Sequence, residues 1–130
     1  HLFLEEHYQE VHQHLDLIAE RLTAIGFVPT CSPVEQEKLA YIRHEPEGMF
    51  RDRDMLELDI LAEGTVCRRL RETIDVCLEH GDYGTKRLLE KVLYAAENRA
   101  HHLEHFLAPM TLEIGNVAGA DDLRHTEERD

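Results

Sequence analysis

Apolar residues recur at steps of four and three along the start of the chain: Leu4, Tyr8, Val11, Leu15, Ile18, Leu22 and Ile25. A stripe this long at this period predicts an amphipathic helix and not a strand. Gly26 follows in the position where a left-handed glycine ends a helix. Ser32-Pro33-Val34-Glu35 reads as a capping box with proline at the first helical position, and it predicts a short helix to about Arg43. Glu45 to Gly48 reads as a turn. A long helix is expected from about Asp52 to His80, with Leu56, Ile60, Cys67, Leu70, Ile74 and Cys77 facing inward and Gly81 ending it. Asp82 can cap a further helix that carries Leu88 or Leu89, Val92, Ala96, Leu103 and Phe106 or Leu107. That helix is expected to stop before Pro109, leaving residues 110–130 as a tail. The pattern is all-α, with three long helices of roughly 35 to 42 Å and one short connector.

Three long amphipathic helices rarely close a bundle, whereas four do. The chain also begins at His1, without Met, and apparently inside a helix. Both features suggest a chain that lacks its natural start and a preceding helix.

Composition narrows the class. In 130 residues, 42% are apolar and 32% charged, the balance of a folded domain. The longest run without Asp, Glu, Lys or Arg is Leu22 to Val34, interrupted by Pro29. It is too short to span a membrane, and no signal-peptide pattern precedes it. A net charge of −13 argues against electrostatic clamping of nucleic acid by the bare chain. Cys31, Cys67 and Cys77 form no CxxC and no even framework, which suits a reduced cytoplasmic setting. Cys67 and Cys77 share the inward face of their helix and read as core, while Cys31 sits in a loop.

The unusual supply is ten His beside 27 carboxylates. With His1 at zero on a wheel of 100° per residue, Glu5 falls at about 40°, His12 at about 20°, Asp16 at about 60° and Glu20 at about 100°. The apolar stripe occupies roughly 240 to 340° on the same wheel. A band of His and carboxylate therefore borders the buried face. A solvated helix flank would look the same. The spacing adds something: His1/Glu5 and Asp16/Glu20 are both i,i+4 pairs, about 22 Å apart along one helix. One helix cannot bring both to one metal. Two copies crossing antiparallel about a two-fold axis would place His1 and Glu5 of one beside Asp16 and Glu20 of the other, and two-fold pairing is the commonest symmetry of homo-oligomers. One imidazole with three carboxylates suits iron better than a structural zinc. No Glu-x-x-His occurs, and the one Asp-x-x-His is Asp122/His125 in the tail, so a di-iron site within one chain is disfavoured.

His1-x3-Glu5-x10-Asp16-Leu17-Ile18-Ala19-Glu20-Arg21-Leu22, followed by Gly26 and Pro29, resembles the second helix of the Dps mini-ferritins. Glu47-Gly48-Met49-Phe50 and Gly81-Asp82-Tyr83-Gly84-Thr85 resemble the segments that flank that family's third helix. The run Glu97-Asn98-Arg99-Ala100-His101-His102-Leu103-Glu104-His105-Phe106-Leu107 is most similar to the cyanobacterial and haloarchaeal branches, and the likeness covers about residues 1–117. The resemblance implies a ferritin-like four-helix bundle over residues 1–109, its first helix absent from this chain. It implies a hollow dodecamer with di-iron ferroxidase sites shared across the two-fold axis. Such a protein oxidises Fe(II) with hydrogen peroxide or oxygen, stores ferric mineral and protects DNA from oxidative damage in the cytoplasm or nucleoid. Carried over position by position, His1, Asp16 and Glu20 match ligands, which makes His1, Asp16 and Glu20 the expected catalytic set. Glu5 stands where Asp is usual, and Leu103 replaces a Trp frequent in the family. A further site His lies on the helix this chain lacks, so the chain alone is a candidate for an inactive fragment. Asp82, Glu79 and Glu90 are candidates for an acidic iron-entry channel.

His101, His102 and His105 crowd one turn. They read either as a surface group complementing a helix C-terminus or as an accessory metal site, and an ending before Pro109 favours the first. His7 and His14 sit at the edge of the apolar stripe and read as packing residues. The rival function is a non-catalytic helical assembly or nucleoid-associated structural protein.

Overall fold

The computed structural model describes residues 2–118, with side chains as far as residue 108. His1, Asp122 and His125 lie outside the described residues. Four helices follow in order: α1 (Leu2–Ala24), α2 (Pro33–Leu39), α3 (Asp52–Glu79) and α4 (Tyr83–Ala118). Among the described residues there is no strand.

Two glycines set the corners. After α1, Gly26 adopts φ +95°, its N–H reaches the Thr23 carbonyl, and the Phe27 N–H reaches the Leu22 carbonyl at 2.9 Å. After α3, Gly81 at φ +69° bonds to Leu78, and Asp82 to Cys77 at 2.8 Å. Both are Schellman endings, which need a left-handed residue where a side chain would be strained. Asp82 then caps α4: its Oδ1 accepts the Thr85 N–H at 3.1 Å, and its carbonyl accepts the Lys86 N–H.

The tight α3–α4 corner makes these two helices an antiparallel pair, and the apolar core lies between them. Leu56, Cys67, Leu70 and Cys77 from α3 meet Leu89, Val92, Ala96 and Leu103 from α4, with Ala96 fully buried. Burial of each large aliphatic side chain contributes about 1.5–3 kcal/mol. The inward residues of both helices are largely those predicted, although Phe106 is exposed.

Two boundaries differ from expectation. α2 stops at Leu39, and the capping box does not form: Ser32 makes no side-chain cap bond, and Glu35 turns to Lys38 at 2.8 Å instead of reaching back to the helix start. α4 continues through Pro109 to Ala118, so residues 110–118 are helical and not a tail. Proline has a helical φ and removes one i→i−4 bond. The penalty is local, and a helix already packed over many turns absorbs it.

The larger difference is on α1. The side turned to α4 carries Phe3, His7, Glu10, His14, Ile18 and Arg21, a row shifted from the predicted stripe and mostly polar. Leu4, Tyr8, Val11 and Leu15 stay 37–66% exposed and face a cavity of about 570 Å³ shared with α3. That cavity is where a closed bundle places a fourth helix. The stripe is therefore correctly read as apolar, but among its members Ile18 packs against the α3–α4 core while Leu4, Tyr8, Val11 and Leu15 stay uncovered.

Polar contacts hold α1 in place. Arg99, 4% exposed, grips the Glu63 carboxylate of α3 through Nε and Nη2 at 2.6 and 3.1 Å, and donates from Nη1 to Glu10 of α1 at 2.8 Å. At the other end Arg21 donates to Asp82 and Thr85, each at 2.9 Å. Beside Arg99, His14 is buried with no partner for its Nδ1. Burial, and then the Arg99 charge, lower the pKa of both His14 and His7 from the ordinary 6.5.

Two outcomes are expected. Arg99→Ala strands Glu63 and loosens Glu10, and should cost about 3 kcal/mol in denaturant unfolding; Arg99→Lys should recover little of it, because an ammonium lacks the planar fork. The folded protein holds fewer protons on His7 and His14 than the unfolded chain does. Their neutral burial therefore supports the fold fully above pH 6.5, and that support is lost as pH falls below it. Thermal melts across this range should show the loss, and His14→Leu should flatten the profile.

Candidate metal centre

The predicted ligands divide sharply between described and undescribed positions. His1 lies outside the described residues. Glu5, Asp16 and Glu20 lie on α1 and are all exposed. α1 is helical without interruption from Leu2 to Ala24, so Glu5 and Asp16 stand about 16 Å apart along its axis. The structure does not bring the two i,i+4 pairs together within one chain. Among the described residues, no three His, Cys, Asp or Glu side chains converge on a point that could hold a metal ion.

The direction of this edge is informative. The inner row of α1 lies near 180 to 260° on the helical wheel, and the Glu5–Asp16–Glu20 edge lies near 40 to 100°, roughly opposite. The acids therefore point away from α4. Glu5 accepts a bond from Gln9, one turn along the same helix, at 3.0 Å. Neither Asp16 nor Glu20 belongs to the contacts that tie α1 to α4, which use Glu10 and Arg21 instead. The chain thus keeps two kinds of acidic residue apart: Glu63 and the partly exposed Glu10 engage the buried Arg99, while Glu5, Asp16 and Glu20 form an exposed acidic edge.

Among the channel candidates, Asp82 is half-buried, and its hydrogen bonds to Thr85 and then to Arg21 hold its carboxyl below the ordinary carboxylate range. It is a corner residue first. Glu90 pairs with Lys86, and Glu79 is exposed at the end of α3.

The buried Arg99–Glu63–Glu10 network was not foreseen from the chain. Its signal is an arginine in the core-facing row of α4, between Ala96 and Leu103 at steps of three and four. Such an arginine needs buried acids on neighbouring helices. The sequence does not say which of 27 acids these are.

A second cluster lies at the Leu2 end of α1, where that helix meets α4. Phe3 stacks on Phe106 with ring centroids 5.1 Å apart, His7 lies 6.1 Å from His102, and His101 lies 5.6 Å from His105. Phe3, Phe106 and His7 border an open cavity of about 770 Å³. His102 and His105 face it, and His101 does not.

The model of the ferritin-like domain family matches residues 1–112. The chain is 37% identical to a nutrient stress-induced DNA-binding protein of Nostoc sp. over 94% of its own length and 66% of the relative's. It is 34% identical to the DNA protection during starvation protein of Halobacterium salinarum, over 86% of this chain and 62% of that one. The chain therefore spans just under two thirds of the length of the curated relatives it matches. Among solved structures, an archaeal Dps homologue from Halobacterium salinarum superposes with a TM-score of 0.78 at 34% identity, covering 82% of this chain and 59% of that one.

Proposed function

Because the chain belongs to the ferritin-like domain family, in its Dps branch, we propose that it is a subunit of an iron-storing, iron-detoxifying shell that protects DNA. The expected assembly is a homododecamer in the cytoplasm or nucleoid. Among the described residues, no helix is long and apolar enough to cross a membrane.

The observation that carries this reading is the acidic edge of α1. It turns away from α4 and takes no part in the contacts that fix the helix. A site made there needs a second copy. With two copies antiparallel across a two-fold axis, His1 and Glu5 of one meet Asp16 and Glu20 of the other. Fe(II) is the substrate. Neutral imidazole suits Fe(II), and three carboxylates offset the added charge of Fe(III), so the ligand set favours the oxidised product. Glu5 is one methylene longer than Asp and keeps the same charge.

Two Fe(II) ions each give up one electron. Hydrogen peroxide accepts both, its O–O bond breaks, and its oxygens leave as hydroxide. Pairing the electrons in one site avoids the one-electron cleavage that releases hydroxyl radical. Dioxygen is the alternative oxidant. The −13 charge suits a shell that concentrates Fe(II). DNA is protected by removal of its damaging reagents, since this net charge does not support direct DNA contact by these residues.

The test is peroxide-driven oxidation of anaerobically loaded Fe(II), followed by absorbance. In the assembled protein, Asp16→Ala with Glu20→Ala should abolish the fast phase while leaving helicity and oligomer size intact. Unchanged kinetics would overturn the assignment. An assembled protein that binds no Fe(II) would favour a structural, nucleoid-associated role.

A further inference from the structure

We infer that His101 and His105 form a second metal site, a two-imidazole chelate for borderline divalent d-block cations of the Cu(II), Ni(II) and Zn(II) class. It lies on α4, on a different helix from the acidic edge of α1, and does not depend on the iron reading above.

The alternative account of these histidines is interaction with a helix C-terminus, and the fold removes it. The macrodipole acts within the last turn of a helix. α4 runs on to Ala118, so His101 and His105 lie several turns inside it. Their crowding then needs another reason.

The geometry provides one. Residues four apart share a helix face, and paired histidines at this spacing are a recurrent metal-binding arrangement. The two rings have centroids 5.6 Å apart and planes inclined by 24°, and both side chains are exposed. A metal about 2.0–2.1 Å from each ring nitrogen lies about 3 Å from each ring centre, so a tetrahedral angle requires centroids about 5 Å apart. A small side-chain rotation closes that gap. His102 is not part of the chelate: its centroid is 6.3 Å from that of His101, its plane is tilted by 43°, and it stacks toward His7.

The neighbours set the remaining coordination. Glu97 precedes His101 by one turn on the same face, but Arg71 engages its carboxylate at 2.7 Å. The protein therefore supplies two donors, and water fills the other positions. This agrees with the lack of any three-residue ligand group among the described residues. Such a site exchanges its metal readily. It favours Cu(II) over Zn(II) and Ni(II), with Fe(II) weakest.

Glu5→Ala, Asp16→Ala and Glu20→Ala together remove the competing carboxylates and give the background for the test. Calorimetric titration of that full chain with Zn(II) should still show binding. Adding His101→Ala or His105→Ala should weaken it at least about tenfold, whereas His102→Ala should leave it unchanged. The Cu(II) electron paramagnetic resonance spectrum should show two imidazole nitrogens, and one after His105→Ala. Circular dichroism checks that each variant folds; these exposed positions should not disturb it. The proposal is overturned if the background chain binds no Zn(II), if neither single substitution weakens binding, or if His102→Ala weakens it equally. None of these results bears on peroxide-driven Fe(II) oxidation, so the two readings fail separately.

Discussion

One guanidinium holds the three long helices in register. Arg99 projects from the core row of α4, grips Glu63 of α3 with two nitrogens, and reaches Glu10 of α1 with a third. A planar fork with fixed donors suits two carboxylates arriving from different helices, which a point charge would not orient. α3 and α4 have an apolar core of their own. α1 has no comparable core: its buried face is mostly polar, and its apolar stripe opens onto a cavity. Its placement rests on Arg99 at one level and on Arg21, reaching Asp82 and Thr85, at the other. Two polar contacts about three turns apart fix both the rotation and the slide of a helix. Apolar packing is less selective among neighbouring registers.

That rotation decides what α1 presents outward. Glu10 and Arg21 point at α4, so Glu5, Asp16 and Glu20 point away from it, and the apolar stripe lies between the two sectors. A helix with three functional sectors cannot be satisfied by two neighbours. The apolar sector faces the gap beside α3, and the acidic sector faces outward, where the reading above places a second copy. The same economy appears in the charges. Arg99 and Arg21 are engaged with Glu10, Glu63 and Asp82, while among the described residues the acidic edge has no ion-pair partner.

The sequence makes the helices and their corners legible because those depend on neighbours along the chain. Gly26 and Gly81 mark left-handed endings, Asp82 caps the next helix, and the inward rows of α3 and α4 follow from periodicity. It misplaces the buried face of α1 because periodicity reports where apolar residues are, not which partner is present to cover them. The row through His7, Glu10, His14 and Arg21 is polar, and nothing local distinguishes it from a solvated flank. Only the positions of Arg99 and Asp82 in space make it the inner face. The candidate site is legible in another sense. Glu5, Asp16 and Glu20 do fall on one exposed edge of α1, while the proposed completion of a site there by a symmetry-related copy is not something a single chain contains.

Pro109 shows the same limit at the other end. A proline predicts a helix boundary through one lost bond and one clash, both short-range costs. The many packed turns of α4 that precede it outweigh those costs, and the helix continues. This changes the chemistry as well as the boundary. With an end before Pro109, three histidines would sit at the negative pole of a helix, and their clustering would need no further cause. In mid-helix that field has decayed, and they become imidazoles at one-turn spacing with Glu97 already held by Arg71. A residue's electrostatic role therefore follows from how far its helix extends, and tertiary packing sets that distance.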